Sequence, residues 1–224
     1  MNDSPLQRLN MVESQVRTSD VTDRRIIRAM LDIPREVFVP AGMASIAYSD
    51  AALAVSGRRT GAVPVRALLE PRTLAKLIQL AGIGDDDTVL DVGCATGYST
   101  AVLARIARRV VAVESDRALA DAATAALASL GIGNATVLTG TLAAGAPGEA
   151  PFDAVLLNGA VPAVPQTLCE QLSDGGRLVA VIAEERVSRA HLTLRAGGAF
   201  DTRPAFEAAA DPLPGFELPA GFVF

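Results

Sequence analysis

The stretch Val89-Leu90-Asp91-Val92-Gly93-Cys94-Ala95-Thr96-Gly97-Tyr98 decides the predicted fold. Its first residues are typical of a buried strand, because apolar β-formers follow a run of turn-forming residues. Gly93, Ala95 and Gly97 then leave a loop almost without side chains, and a backbone that bare can lie directly against a ligand. A helix is predicted from Tyr98 to Arg108, and its first N–H groups would point at the same ligand.

A second apolar strand, Val110 to Val113, ends in Glu114. Glu114 follows Asp91 by 23 residues (114 − 91), the spacing at which a nucleotide-binding βαβ unit places a carboxylate that accepts hydrogen bonds from a ribose. The loop does not match the dinucleotide fingerprint G-x-G-x-x-G, and Asp91 would repel a pyrophosphate. An acid at this strand end suits a cationic ligand, such as the ammonium and sulfonium groups of S-adenosylmethionine. The alternative is a plain tight turn between strand and helix.

The order D-V-G-x-A-x-G, followed by a strand that ends in glutamate, resembles the donor-binding motif of the Rossmann-like methyltransferases. The resemblance implies a class I methyltransferase whose cofactor is S-adenosyl-L-methionine. Asp91 is expected to be ionised and held by N–H groups of the loop or by the ammonium group of the donor. The residues of this region that are predicted to form the cofactor site are Asp91, Gly93, Cys94, Ala95, Gly97, Tyr98, Glu114 and Ser115.

The remaining pattern predicts an α/β fold with a doubly wound, mostly parallel sheet, N-terminal helices and a C-terminal antiparallel hairpin. Helical spacing indicates two helices within residues 6–31, with Asp20 or Thr22 as the cap of the second. Asn158-Gly159-Ala160 follows a predicted strand, at the edge where open α/β sheets bind ligands. The other predicted elements are helices 118–130 and 164–172, strands 135–138, 154–157 and 177–182, a hairpin over 190–206, and an irregularly packed tail over 212–224.

Composition narrows the classes of protein. The 224 residues are expected to form one domain, with N-terminal helices and a long loop in 1–72 and a Rossmann-like core in 73–224. A net charge of −5 argues against a nucleic-acid partner, and no run approaches the 20 apolar residues of a membrane span. The first ten residues do not resemble a signal peptide, so a cytoplasmic location is expected. Two cysteines and one histidine give little basis for a disulfide framework, a metal site or a His triad.

Several stretches resemble the protein-L-isoaspartate O-methyltransferases in the same order along the chain. They are Arg28–Pro40, Ala47–Asp50, Gly97–Ala104 and Ala150–Val155. The resemblance covers about residues 11–183 and implies carboxyl methylation of isoaspartyl sites, a protein repair activity on a protein or peptide acceptor. Where the family has G-D-G, with an Asp expected at the adenine amino group, this chain has Gly140-Thr141-Leu142. Thr141 and Leu142 are therefore added to the predicted cofactor site.

The acceptor loop departs from the family pattern G-x-G-Q-T-I-S-Q-P. The corresponding stretch, 55–71, is longer, and Pro71 is its only clear anchor. Alignment back from Pro71 places Leu69 at the position of the family serine and Glu70 at the position of glutamine. Leucine cannot donate a hydrogen bond to an acceptor carboxylate, so isoaspartyl activity is expected to be weak unless an arginine of the loop substitutes. The alternative is that Ser56 or Thr60 folds into the place of the serine.

Two catalytic residues are predicted, Arg66 and Asn158. The loop region contains Arg58, Arg59, Arg66 and Arg72, and arginine binds a carboxylate through two parallel hydrogen bonds. These residues predict a gate that holds an acidic acceptor over the donor; the alternative is a solvated hairpin with its turn near Thr60-Gly61-Ala62. Asn158 is predicted to contact the region of the transferred methyl group, or to be a simple turn residue.

Three functions from different classes remain open at this point. The first is a carboxyl methyltransferase of the isoaspartyl type, which needs no general base because a carboxylate is already ionised at pH 7. The second is a methyltransferase of the same fold with another acceptor, either a protein or a small acidic molecule. The third is a cofactor-binding homologue without turnover. The pattern does not predict an oligomeric state.

Overall fold

The computed structural model describes residues 3–56, 65–184 and 187–217, and the N-terminal region begins with a helical layer. Helix α1 (Ser4–Met11) continues into a π-helical turn and then a 3₁₀ turn over residues 12–19, before α2 (Arg24–Asp32). The cap of α2 is Asp23, whose carboxylate accepts from the backbone N–H of Arg25. The predicted caps Asp20 and Thr22 were therefore wrong; the backbone N–H of Thr22 donates instead to the side chain of Gln79.

The segment after α2 leads to a short antiparallel hairpin. Two 3₁₀ turns, Arg35–Phe38 and Ala41–Ile46, precede β1 (Leu53–Ser56) and β2 (Arg66–Leu68). In this hairpin Leu53 pairs with Leu68 and Ser56 with Arg66. Helix α3 (Pro71–Ala81) follows directly, with proline at its first position, where the missing N–H costs nothing.

The central sheet has seven strands within the described residues, in the order β5-β4-β3-β6-β7-β8-β9. Strands β3 to β7 pair in parallel, whereas β8 and β9 add an antiparallel hairpin at one side. The predicted fold class is confirmed. The elements are β3 (Thr88–Val92), α4 (Tyr98–Ala104), β4 (Arg109–Glu114), α5 (Arg117–Ser129), β5 (Ala135–Thr139), β6 (Phe152–Val161), α6 (Gln166–Cys169), β7 (Leu172–Ile182), β8 (Arg189–Ala196) and β9 (Ala199–Glu207).

Several predicted boundaries were wrong, among them the start of β7, which lies at Leu172 rather than at residue 177. Helix α4 ends at Ala104 rather than Arg108, whose side chain is tied to the backbone oxygen of Asp86 and the hydroxyl of Thr88. Helix α6 has four residues rather than the predicted range 164–172, because strand β7 already begins at residue 172. Strand β6 continues to Val161, and the backbone of Ala160 bonds to Asp211 and Leu213 of the C-terminal segment.

Alternating side chains of the parallel strands form cores on both faces of the sheet. Val89 and Val110 belong to the cluster that also contains the buried residues of α2, α3 and α4. Leu90 and Val111 belong to the cluster that contains α6, Leu142 and Leu213. The N-terminal helices therefore share a core with the sheet, which fixes the β1–β2 hairpin near the carboxyl ends of β3 and β4.

No helix among the described residues is both long and apolar enough to cross a membrane. The described residues also contain no group of three acidic, histidine or cysteine side chains placed to hold a metal ion.

Candidate active site

The glycine loop connects β3 to α4 through three left-handed residues. Gly93 (φ 74°), Ala95 (φ 51°) and Gly97 (φ 93°) turn the backbone back on itself, and the N–H of Gly93 donates to the oxygen of Val113 at 2.8 Å. A Cβ atom on Gly93 would lie 2.8 Å from Leu213 and 2.9 Å from the Nη2 atom of Arg66. Only glycine fits at this position, because other residues would meet both the backbone strain and these neighbours.

Asp91 lies in β3 and is completely buried. Its Oδ2 atom accepts from the hydroxyls of Ser99 (2.8 Å) and Thr100 (2.6 Å), and its Oδ1 atom accepts from the amide of Asn158. These donors are neutral side chains rather than the loop N–H groups that the sequence predicts, and the predicted contact with the ammonium group of the donor stays a prediction. Burial raises the pKa of Asp91 to about 6, against the effect of the three hydrogen bonds, and the charge of Glu114 adds to the rise.

Glu114 ends the neighbouring strand β4 and is also completely buried. Its Oε2 atom accepts from the backbone N–H of Ala95 at 2.8 Å, and its Oε1 atom accepts from the N–H groups of Ser115 (2.8 Å) and Asp116 (3.1 Å). Burial alone would raise the pKa of this carboxyl. The hydrogen bonds and charge of Arg66, together with the backbone N–H groups, outweigh burial and hold the pKa below its ordinary value.

Arg66 reaches from β2 into the predicted cofactor site. Its Nη2 atom donates to Glu114 Oε2 and to the carbonyl oxygen of Gly93, both at 2.8 Å, and its side chain is only 6% exposed. The structure thus brings a predicted catalytic residue against two predicted cofactor residues. In this arrangement the guanidinium group faces the donor site, and its role toward the acceptor stays a prediction.

Asn158, the other predicted catalytic residue, lies in β6 at the same edge of the sheet. It is 7% exposed and its amide donates to Asp91, with a longer contact of 3.4 Å to the oxygen of Val92. Its neighbour Gly159 lies against the C-terminal segment, where a Cβ atom would be 2.7 Å from Leu213. The observed contact is therefore with the Asp91 carboxylate, and contact with a transferred methyl group stays a prediction.

The other predicted cofactor residues differ in burial and in what their side chains contact. Leu142 is buried, 3.5 Å from the Cβ position of Gly93, and Ser115 is exposed next to Glu114. Thr141 is exposed just after β5. The Cys94 thiol is buried, whereas the Tyr98 ring lies under the guanidinium of Arg35 at 4.6 Å. Tyr98 thus contributes its backbone position to the loop, and its ring packs against the N-terminal region.

Sequence analysis missed four residues of this region. Ser99 and Thr100 follow the quoted motif directly, and their position in the first turn of α4 was the signal that could have found them. Leu213 covers Gly93 from the C-terminal segment, and no local pattern marks it. Arg35 is completely buried and donates to the backbone oxygens of Ala47 (2.9 Å) and Leu69 (2.8 Å). It therefore ties the acceptor segment to the N-terminal region.

The acceptor segment is described on both sides of a gap. Leu69, aligned with the family serine, is 5% exposed and packs in the main core. Glu70 accepts from the Nε atom of Arg72 at 3.1 Å, so an arginine does neutralise it. Ser56 lies half-buried opposite Arg66 in the hairpin. Arg58, Arg59, Thr60 and the predicted turn at Thr60-Gly61-Ala62 lie outside the described residues.

The residues present fit a nucleoside that carries a positive charge. The loop has a close-approach glycine, Glu114 presents carboxylate oxygens of the kind that accept from ribose hydroxyls, and Asp91 presents a second carboxylate at the same sheet edge. The chemistry of this set matches S-adenosyl-L-methionine. The fold and site together define a Rossmann-like, S-adenosylmethionine-dependent methyltransferase.

Comparison with known proteins identifies the family. The family profile of protein-L-isoaspartate(D-aspartate) O-methyltransferase matches residues 7–205. A relative named protein-L-isoaspartate O-methyltransferase 1, from Pelobacter propionicus, is 40% identical over 186 residues, which cover 81% of this chain and 83% of the relative. One from Methanoculleus marisnigri, named protein-L-isoaspartate O-methyltransferase, is 34% identical over 209 residues, 93% of this chain and 92% of the relative.

A solved structure supports the same assignment. It is described as a protein-L-isoaspartate O-methyltransferase, is 27% identical, and superposes with a TM-score of 0.80. The superposition covers 93% of this chain and 66% of that longer chain. This chain belongs to the protein-L-isoaspartate O-methyltransferase family. The predicted family, the methyltransferase class and the S-adenosyl-L-methionine cofactor are therefore confirmed.

Proposed function

We propose that this protein methylates the carboxylate of isoaspartyl residues in a protein or peptide, with the donor bound against the loop after β3. The observation that carries the proposal is the convergence of Asp91, Glu114 and Arg66 at one edge of the sheet. Two buried acids face the donor side, and one buried cation comes from the segment aligned with the family's acceptor loop. Family membership supplies the acceptor class.

On the donor side, we assign ribose recognition to Glu114 and recognition of the cationic end to Asp91. The N–H groups of Ala95, Ser115 and Asp116 fix the Glu114 carboxylate, and together with Arg66 they keep it ionised. Ser99, Thr100 and Asn158 fix both oxygens of Asp91. Acceptor oxygens held in fixed positions favour an aligned donor.

On the acceptor side, the chain must orient a carboxylate and keep water away. When bound, S-adenosyl-L-methionine supplies a methyl carbon that a carboxylate oxygen attacks in line, while the electron pair of the broken bond stays on sulfur. No proton moves in this displacement, so no side chain has to act as a base. We assign the orienting role to Arg66, whose guanidinium group is suited to a carboxylate. Ser56, which pairs with Arg66 in the hairpin, is a described hydroxyl-bearing candidate for the missing serine.

The leucine at position 69 supports a second candidate function, methylation of a different acidic acceptor by the same site. Leu69 is buried in the core and offers no hydrogen bond through its side chain. Loss of one positioned donor typically lowers a rate by two to three orders of magnitude, about 2.7–4 kcal/mol. An acceptor that relies on Arg66 alone would escape this loss.

Incubation with methyl-labelled S-adenosylmethionine tests the proposal. The acceptors are an isoaspartyl peptide and the same peptide with ordinary aspartate. We expect label only on the isoaspartyl peptide, released by mild base as a methyl ester is. Arg66→Ala should lower turnover by at least tenfold. Label on neither peptide, with S-adenosylhomocysteine still bound, would favour the second candidate or a homologue without turnover.

The matched variants separate the possible hydroxyl donors. Ser56→Ala should reduce turnover if this hydroxyl replaces the family serine, and Thr60→Ala serves the same purpose for a residue outside the described ranges. Full family-type turnover that survives Arg66→Ala but is abolished by either hydroxyl variant would overturn the orienting role of Arg66. We further propose that the chain acts as a single domain in the cytoplasm, which expression with a fluorescent fusion would test.

A further inference from the structure

We propose that Arg66 is a positioning residue that exchanges one carboxylate for another: it leaves Glu114 when the donor binds and then pairs with the carboxylate of the acceptor. The inference rests on the proposed function and adds an order to it, with the donor first and the acceptor second.

The hydrogen-bond capacity of Glu114 gives the first argument. A carboxylate offers about four acceptor positions. Backbone N–H groups of Ala95, Ser115 and Asp116 take three of them, and these belong to the loop and strand end themselves. The Nη2 atom of Arg66 takes the fourth, on Oε2, at 2.8 Å, while its Nε atom (3.4 Å) and the Ser115 hydroxyl (3.3 Å) make longer contacts with Oε1. The backbone donors cannot withdraw, so a ribose can reach Oε2 only if Arg66 leaves it.

The space above Gly93 gives the second argument. The Nη2 atom of Arg66 lies 2.9 Å from the Cβ position of Gly93 and donates to its carbonyl oxygen. The glycine is therefore a close-approach position that the guanidinium group already fills. A donor pressed against this loop needs the same volume, so donor and guanidinium compete for space as well as for hydrogen bonds.

The cost of an unpaired cation gives the third argument. Arg66 is 5% exposed as a residue, and among the described residues its guanidinium group pairs with the Glu114 carboxylate. A buried charge that loses such a partner is strongly unfavourable. Asp91 cannot replace Glu114 readily, because three side chains already bond its two oxygens and the donor's cationic end would take the remaining position. An incoming acceptor carboxylate would supply the missing charge. Donor and acceptor therefore favour each other through one side chain, as linked binding requires.

Calorimetry tests the exchange in two ways. In the first, S-adenosylhomocysteine is titrated into wild type, Arg66→Gln and Arg109→Gln. Arg109 pairs with Glu149 at the surface, so it is a matched arginine–glutamate control far from the loop. We expect Arg66→Gln to bind about tenfold or more tightly, since no charged competitor has to be displaced. The Arg109→Gln protein should bind as wild type does.

In the second, an isoaspartyl peptide is titrated into wild type with and without saturating S-adenosylhomocysteine. We expect the peptide to bind at least about tenfold more tightly with the nucleoside present. This measurement uses the wild type alone, so it stands even if Arg66→Gln does not fold. In a folded Arg66→Gln protein, peptide binding should be weak under both conditions.

The outcomes separate the exchange from the proposed function. Weaker or unchanged S-adenosylhomocysteine binding by Arg66→Gln, or equal peptide binding with and without the nucleoside, would overturn the exchange while leaving methylation intact. A wild-type protein that binds no S-adenosylhomocysteine and methylates no carboxylate would overturn the proposed function itself.

Discussion

Asp91 and Glu114 are equally buried acids at the ends of two adjacent parallel strands, and yet their pKa values move in opposite directions. The partners explain the difference. Asp91 receives hydroxyl and amide hydrogen bonds from neutral side chains, and burial raises its pKa to about 6. Glu114 receives a guanidinium group and backbone N–H groups, which outweigh burial and lower its pKa.

Burial disfavours the ionised form of both carboxyl groups. The hydrogen-bond donors and charges around each group decide whether its pKa is raised or lowered in the end. The Glu114 site is built for a permanent anion. The pKa of Asp91, by contrast, is raised toward neutral pH. A cationic ligand beside this carboxyl group would lower its pKa and favour full ionisation. In the proposed function, a donor with a neutral ribose and a positive sulfonium group would use one site of each kind.

The largest expected effect comes from removing the permanent anion. Glu114→Ala leaves Arg66 buried without its partner, and breaking a buried pair in this way costs about 3–5 kcal/mol of unfolding free energy. Urea unfolding followed by circular dichroism measures it. Glu149→Ala, which breaks the exposed pair with Arg109, should cost less than about 1 kcal/mol. If Glu114→Ala cost no more than this control, the two sites would not differ as described.

A double-mutant cycle sharpens the same point. In Glu114→Ala combined with Arg66→Ala, neither charge is left unpaired, so the loss should be smaller than the sum of the two single losses. Additive losses would show that the two side chains act independently and would contradict the buried pair.

The second expected effect is the pH dependence that Asp91 imposes. Its pKa is about 6 in the folded protein, against an ordinary value of 3.8. Between these values the native state keeps a proton that the unfolded chain has lost, so unfolding free energy falls as the pH rises. The retained proton contributes about 3 kcal/mol to the free energy of unfolding. This contribution is fully present below pH 3.8 and is lost as the pH rises through about 6.

Asp91→Asn removes this titration. We therefore expect the difference in unfolding free energy between wild type and variant to change by about 2.4 kcal/mol from pH 4 to pH 7, slightly less than the total because the unfolded chain is already partly ionised at pH 4. The difference cancels the other carboxyl groups, which titrate in both proteins. A constant difference over this range would mean that Asp91 is ionised throughout, as Glu114 is.

The smallest expected effect concerns Asn158. Its amide bonds to the Asp91 carboxylate, and loss of a hydrogen bond to a charged group costs about 1.5–3 kcal/mol. This loss applies only where Asp91 is ionised, so Asn158→Ala should be more destabilising at pH 8 than at pH 5 and should raise the pKa of Asp91 further. Chemical unfolding at both pH values measures it, with Ser173→Ala as a control for a hydrogen bond to a different aspartate, Asp153. Equal losses at both pH values would contradict the contact.

Sequence analysis named Asp91, Glu114, Arg66 and Asn158 as site residues, but it did not predict which of them contact each other. The motif from Asp91 to Gly97 and the acid at Glu114 occur at fixed spacing, because one βαβ unit positions both. Two partners of these acids come from distant parts of the chain: Arg66 lies 48 residues from Glu114 and Asn158 lies 67 from Asp91. Their pairing depends on the order of strands in the sheet and on the β1–β2 hairpin, and local pattern contains neither.

The predicted boundaries of helices and strands were wrong where contacts with distant parts of the chain determine them. Strand β6 continues past Asn158 because the C-terminal segment bonds to Ala160, 51 residues ahead of Asp211. The cap of α2 is Asp23, one residue after the predicted Thr22. The backbone N–H of Thr22 donates to the side chain of Gln79, a residue from a distant helix. The pairing of Glu70 with Arg72, by contrast, joins residues only two positions apart.

The central claim is that the acids at the ends of β3 and β4 form an S-adenosylmethionine site. Calorimetric titration of S-adenosylhomocysteine and of NAD into wild type and Glu114→Gln tests it most directly. We predict that wild type binds S-adenosylhomocysteine and not NAD, and that Glu114→Gln weakens this binding by about 1.5–3 kcal/mol. Tight binding of NAD without binding of S-adenosylhomocysteine, or an affinity that Glu114→Gln leaves unchanged, would contradict the claim.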